Sequence, residues 1–377
     1  MPGDDFHIAL QRCRETAELT PAEVTSELVL APGWVESWES GVLEPPLAIL
    51  NQLVGLYGVD LAAFFRGVDL GETTLAFERH LVADDDKGSL RLTFPMGTHK
   101  ASVCWDHATA TEANALLDVM RGRLCDGKDK AKTGAVIDTF REAVHQWPHI
   151  NPSDIWYFLI SHAFQDQYNH PVSEAGRDLA QSWKRTGGWA FERIICDHYE
   201  PFLRSHDVWL EVPKPDRKRH LLQPMALNNF QAAMEKADVL AVGSSGGSEH
   251  CFGVIHAKAS LAERRTDDAP LSRELTQRGF VSPLVTMDCK AAPAAEPINR
   301  GEFGAEQGGD RVSQKRLDIE RENIFDAAFS FNANTIATPA GTAAAARIHV
   351  VDFNDPNDAF GRHVVNKWRS RHGQPPI

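Results

Sequence analysis

The sequence predicts an α/β protein: a mixed sheet flanked by helices, preceded by an all-α module and a small α+β unit. Three observations predict it. Apolar residues recur at helical spacing over 6–66, the period changes to that of strands between 73 and 106, and helical and strand-like segments alternate from 133 onward. A chain of 377 residues is too long for one ordinary domain, and these changes divide it into 1–70, 71–130 and 131–377.

In the first part, residues 6–18 are amphipathic. T-P-A-E-V at 20–24 places Thr20 as an N-cap, Pro21 at the first helical position and Glu23 at the third. P-G-W-V-E-S-W-E-S-G at 32–41 is a short helix closed by glycine, residues 47–57 are another, and Val59 begins a last one. In the second part, 73–81, 90–94 and 100–105 read as strands around the D-D-D-K-G turn at 84–88. A helix follows over 112–124 with Thr111 as its N-cap, then a charged linker at 126–132.

The third part opens with helices over 133–147, 152–166 and 173–184, a break at Gly187-Gly188, and a helix over 189–204 with an apolar stripe at Phe191, Ile194, Ile195 and Phe202. Strands are expected at 208–212, 239–242, 251–256, 282–290 and 347–353, and helices at 316–329 and 358–370. Gly243 to Gly247 supply turn residues between the second and third of these strands, which makes that pair a hairpin. Asp238 opens the hairpin and Lys258 closes it, so a carboxylate and an ammonium can converge at one sheet edge.

The composition, 42% hydrophobic, is that of a globular protein, and no apolar run is long enough to span a membrane. The first residues show no secretory pattern, and the six cysteines form no C-x-x-C pair, which together predict a reduced cytoplasmic protein without a zinc site. The net charge of −13 is unevenly spread. Residues 1–70 hold eleven acids against three arginines, a net of −8, which leaves 41 acids and 36 bases, a net of −5, for the rest. The near-balanced part carries basic clusters at 214–219, 264–265 and 311–321 that suit phosphate contacts.

The 237–275 stretch resembles the PD-(D/E)XK nucleases, and within them the restriction endonucleases that read a CCGG core, the BsaWI-like group. There the acid two residues before the lysine is replaced, here by His256 in H-A-K, and a glutamate of the following helix supplies the carboxylate, here Glu274. The resemblance further implies an acid–arginine pair that reads C:G pairs, Glu263-Arg264 in K-A-S-L-A-E-R, and a glutamate facing the metal from the helix before the catalytic strands, Glu192. The group's usual arginine just before that pair is Ala262 here. Residues 6–66 resemble the helix-turn-helix of lambda-repressor-like (XRE) proteins, with W-E-S-G in place of W-E-x-G. Its third helix carries Glu36 and Glu39 and no basic residue, so it reads as a dimer-contact or packing module rather than as a DNA anchor.

Phosphodiester hydrolysis needs a water nucleophile and neutralisation of charge on the phosphate. Mg²⁺ held by Asp238, Glu274 and the Ala257 carbonyl supplies the neutralisation, and Lys258 orients the water or stabilises developing charge. His256 is a poor ligand for so hard an ion. Glu263 can accept from cytosine N4 while Arg264 forks onto guanine O6 and N7. Arg265, Arg273 and Lys290 are further phosphate or base contacts. A second register stays open, in which Asp268 and Asp288-Cys-Lys290 form D…D-x-K. Without Glu263-Arg264 beside them, Asp238 and Lys258 read as a surface ion pair. The function expected is that of a Mg²⁺-dependent type II restriction endonuclease. It would cut double-stranded DNA at a palindrome, as a homodimer or tetramer, leave 5′-phosphates, and pair with a cognate DNA methyltransferase. The alternatives are a DNA-binding regulator or controller protein and a nuclease for modified DNA.

Overall fold

The computed structural model describes residues 5–59, 61, 64–65, 77–125, 129–171, 174, 176–261, 264–304 and 312–377. They form two compact units, Met1–Phe77 and Glu78–Ile377.

The first unit is helical: α1 Phe6–Thr16, α2 Pro21–Glu27, α3 Trp34–Glu39 and α4 Leu47–Leu56. Thr20 and Glu23 form the reciprocal cap expected of them, the Glu23 carboxylate accepting from Thr20 N–H at 2.7 Å. Val35 and Trp38 of α3 turn into a core with Leu10, Val24, Leu50 and Leu53. Arg14 of α1 grips Glu39 of α3 with two hydrogen bonds of 2.7 and 2.8 Å, and both side chains are buried. Most of the helix expected from Val59 falls outside the described residues.

The second unit begins with an antiparallel meander, β1 Val82–Asp86, β2 Ser89–Met96 and β3 His99–Asp106. The expected turn at 84–88 is shorter. Only Lys87 and Gly88 turn, both in the left-handed region at φ 54 and 88, so the three aspartates belong to β1. Asp85 reaches the first N–H of α5 Ala110–Cys125 at 2.8 Å, and Asp86 pairs with Arg91. The strand expected at 73–81 is not formed over its described residues, 77–81. There the N–H groups of His80 and Leu81 bond the Asp166 carboxylate instead. Thr109, not Thr111, caps α5, because Glu112 returns its bond three residues on.

Helix α6 Asp129–Gln146 starts inside the expected charged linker, where Lys132 is buried on Glu174 at 2.5 Å. In α7, Pro152–Asp154 and His162–Gln165 flank a π-helical Ile155–Ser161. Helix α8 Leu179–Arg204 runs without the expected break at Gly187-Gly188. Gly187 lies under the Trp183 indole, where a Cβ would meet the ring at 3.1 Å, so this glycine serves a close approach within the helix.

The six-stranded sheet contains β4 Val208–Glu211, β5 Val239–Ser245, β6 Ser248–Lys258, β7 Leu284–Thr286, β8 Ala328–Ser330 and β9 Ile348–Val350, in that order. The first three pair antiparallel and the rest parallel. Gly246 and Gly247, at φ 59 and 78, make the two-residue turn of the β5–β6 hairpin. Helices α9 Pro215–Leu222 and α10 Phe230–Lys236 precede β5, α11 Arg264–Gln277 joins β6 to β7, α12 Gln314–Glu320 joins β7 to β8, and α13 Ala359–Arg371 follows β9.

The run Val239–Val242 is apolar throughout because both faces of the sheet are covered. Val239, Ala241 and Ile255 pack in one core with Phe191, Ile194 and Ile195 of α8; Leu240, Val242 and Val254 pack in another with Leu221, Leu222, Leu271 and Leu275. Tertiary pairing shortens three expected elements. The strand at 282–290 stops where Asp288 takes φ 48, and the helix at 316–329 ends at Glu320 so that its tail can pair as β8. The strand at 347–353 keeps only the three residues that pair with β8.

Candidate active site

The hairpin register sets the site. Val239 pairs with Ile255, which brings Asp238, just before β5, and Lys258, the last residue of β6, to the same end. Lys258 Nζ stands 3.6 Å from Asp238 Oδ2. On its other side it stands 3.3 Å from Asp268 Oδ2, on α11. Lys258 and Asp268 are largely buried, whereas the Asp238 side chain is 36% exposed.

His256, which holds the position of the replaced acid, lies behind Asp268. Its Nδ1 is 3.5 Å from Asp268 Oδ2 and its Nε2 is 3.0 Å from Ser282 Oγ. Ser282 Oγ is in turn 2.7 Å from Ser272 Oγ, one turn beyond Asp268 on α11. This closed polar loop ties the helix to the sheet and leaves the Asp268 carboxylate facing Lys258. Burial acts to raise the Asp268 pKa, but His256 and Lys258 outweigh it and hold the carboxyl below its ordinary value.

Glu192 is buried on α8, 8% exposed. Lys218 of α9 connects it electrically to the hairpin end. Burial draws the Lys218 pKa down, while the carboxylates of Asp238 and Glu192 both act to hold it up. Ala257 is buried in β6 and pairs with Val285 of β7.

The other expected residues stand elsewhere. Glu274 is not brought to the hairpin end. Its Oε1 accepts from the Asn228 N–H at 2.5 Å and from Arg278 at 3.1 Å, and the helical carboxylate beside Lys258 is Asp268. Six residues further along α11, Glu274 points about 120° away from Asp268 around the helix axis. Arg273 makes an exposed ion pair with Glu322 at 3.3 Å. Glu263 lies outside the described residues, as do the side chains of Arg264 and Arg265.

Asp268 and Lys290 do not form the second register. Asp268 pairs with Lys258, and Asp288 is fully buried, accepting from Glu302 N–H and Thr335 Oγ1 at 2.5 Å each. Burial pushes the Asp288 pKa up to about 7. Sequence reasoning passed over Asp268 in the first register because D-D-A-P reads as a loop. Its helical spacing to Leu271 and Leu275, both buried, is the signal that finds it.

No known family model matches the chain. The type II restriction enzyme AgeI of Thalassovita gelatinovora is 35% identical over 247 residues, 63% of this chain and 85% of that enzyme. The crystal structure of a specific AgeI–DNA complex superposes with a TM-score of 0.63 at 31% identity, over 74% of this chain and 99% of that one. A pre-specific BsaWI–DNA complex gives a TM-score of 0.35 at 15% identity, over 69% of this chain and 95% of that one, too distant to bear on the fold. The hairpin, the mixed sheet and an AgeI likeness that spans nearly all of that enzyme lead to one conclusion: the chain belongs to the AgeI family of type II restriction enzymes, the site-specific deoxyribonucleases.

Proposed function

We propose that this enzyme cleaves double-stranded DNA at a palindrome with a CCGG core, with Mg²⁺, as a homodimer, leaving 5′-phosphate ends. The observation that carries the reading is the position of Lys258 Nζ between the carboxylates of Asp238 and Asp268. The donor set suits Mg²⁺: Asp238 and Asp268 supply hard oxygens, and Glu192 and the Ala257 carbonyl are the further oxygens the resemblance implies. Among the described residues no three His, Cys, Asp or Glu side chains form a closed metal cage. Mg²⁺ bound through one or two carboxylates would keep water and take phosphate oxygens at its other positions. When bound, Mg²⁺ supplies charge neutralisation on the phosphate and acidifies water.

The protein's own groups do the rest. Lys258 Nζ holds the attacking water or the phosphate oxygen and stabilises the charge that develops there. His256 fixes the Asp268 carboxylate from behind. Glu263 and Arg264 read the C:G pairs, Glu263 accepting from cytosine N4 and Arg264 forking onto guanine. Arg265 belongs to the same basic cluster, next to the phosphates. A cognate DNA methyltransferase would protect the host's own sites.

The first unit serves packing or self-association in this reading. Its α3 holds Glu39 in an internal ion pair with Arg14, buries Val35 and Trp38, and leaves Glu36 exposed. A major-groove reader would instead present basic groups.

The test is incubation with unmethylated phage DNA, with Mg²⁺ or with EDTA. Discrete Mg²⁺-dependent fragments whose sequenced ends share a CCGG core are expected, absent with Lys258→Ala. Intact DNA under all conditions with the wild type would reject the cleavage reading; fragment ends without CCGG would reject the core.

A further inference from the structure

The chain leaves the sheet after Lys258, and five residues beyond Lys258 stands Glu263. What holds the intervening backbone is a buried carboxylate from a distant loop. Glu302 Oε1 accepts from Ser260 Oγ at 2.9 Å and from the Leu261 N–H at 2.8 Å. Its other oxygen pairs with Lys315. The Glu302 N–H donates to Asp288 Oδ1, and Thr335 donates to Asp288 Oδ2. Glu302 is 8% exposed and Leu261 is 2% exposed.

Burying a carboxylate is costly, and apolar packing would hold a loop at less cost. What a carboxylate adds is direction, because two donors converging on one oxygen fix both the position and the rotation of the chain. The segment is thereby pinned at both ends. Lys258 is locked in the ladder opposite Thr286 of β7, and Leu261 is locked by Glu302. We propose that Glu302 is a positioning residue for base recognition: by holding Ser260 and Leu261 it sets where Glu263-Arg264 meets the DNA, and it couples that position to Lys258. The proposal rests on the reading that Glu263-Arg264 contacts the bases.

The test compares single-turnover cleavage of the cognate duplex with cleavage of duplexes carrying one substituted base, for the wild type, Glu302→Ala, Glu302→Gln, Ser260→Ala and Arg264→Ala. Glu302→Gln keeps an oxygen that accepts both bonds, and it should retain discrimination. Glu302→Ala should lose roughly 10–100-fold of cognate rate, the scale of lost charge-assisted hydrogen bonds or of a misplaced contact. It should also narrow the cognate-to-substituted ratio, with Ser260→Ala in between. An unchanged ratio in Glu302→Ala, or an equal loss on every duplex, overturns the proposal. If Glu302→Ala does not fold, Ser260→Ala decides by the same ratio. If Arg264→Ala keeps full discrimination, the base-reading role itself fails, and the clamp falls with it.

Discussion

Asp268 and Lys258, on different elements, meet at 3.3 Å because the crossover helix α11 lays its inner face against the end of β6. In the proposed reading Asp268 is therefore the second carboxylate of the site, while Glu274 is bonded to Asn228. Asp268→Asn should abolish cleavage. Losing a residue behind a metal ligand costs about 10–100-fold, and loss of a ligand should exceed that. Glu274→Gln should cut DNA at close to the wild-type rate. Rates measured side by side decide between the two; activity in the first and inactivity in the second would reverse the assignment.

His256 touches Asp268 and Ser282 but points no atom at solvent, being 2% exposed. His256→Ala should shift the Mg²⁺ concentration for half-maximal cleavage upward by about 10–100-fold. Saturating metal should restore much of the rate. A Mg²⁺ titration of both proteins reads this directly.

Asp288 carries a pH dependence of stability. Its folded pKa is raised by burial to about 7, against 3.8 for the free side chain. Between those values the folded state binds more protons than the unfolded state. The contribution is therefore full below about pH 4 and is lost as the pH rises through about 7. Asp288→Asn removes this term, so its melting temperature should fall less between pH 5 and pH 8 than that of the wild type. Equal slopes for the two proteins would show that Asp288 does not titrate there.

Arg14 and Glu39 form the buried link between α1 and α3. Glu39→Ala leaves the buried guanidinium with the Leu19 carbonyl but without its charged partner, which should destabilise the unit by about 1–3 kcal/mol. Limited proteolysis should then release the region 5–59 faster, while hydrogen exchange in β5 and β6 should hold as the local readout of the second unit.

The legible parts of the sequence were those in which local pattern and tertiary structure agree. Two apolar runs around a glycine turn gave the hairpin, and with it the convergence of Asp238 and Lys258. Thr20, Pro21 and Glu23 gave the start of α2. The illegible parts were those decided by distant partners. Residues 328–330 continue a helical pattern but pair between β7 and β9. Gly187-Gly188 signals a break but lies inside α8 because Trp183 covers Gly187. Asp268 stands two residues before Pro270, which suggests a loop, and only the docking of Leu271 and Leu275 on the sheet shows it to be helical. Glu302 had no local signal for its hold on Ser260 and Leu261, which lie more than forty residues away.

The sheet changes from antiparallel to parallel pairing at β6, and the two carboxylates beside Lys258 come one from each half. Asp238 and Lys258 come together as soon as a two-residue hairpin closes, a local and rapid event. Asp268 stands only ten residues beyond Lys258, but on the crossover helix that leads to β7, and that helix packs Leu271 and Leu275 against the sheet. In the proposed reading one carboxylate beside Lys258 depends on the hairpin and the other on the seating of the crossover helix, so loosening either half of the sheet would disarm the site.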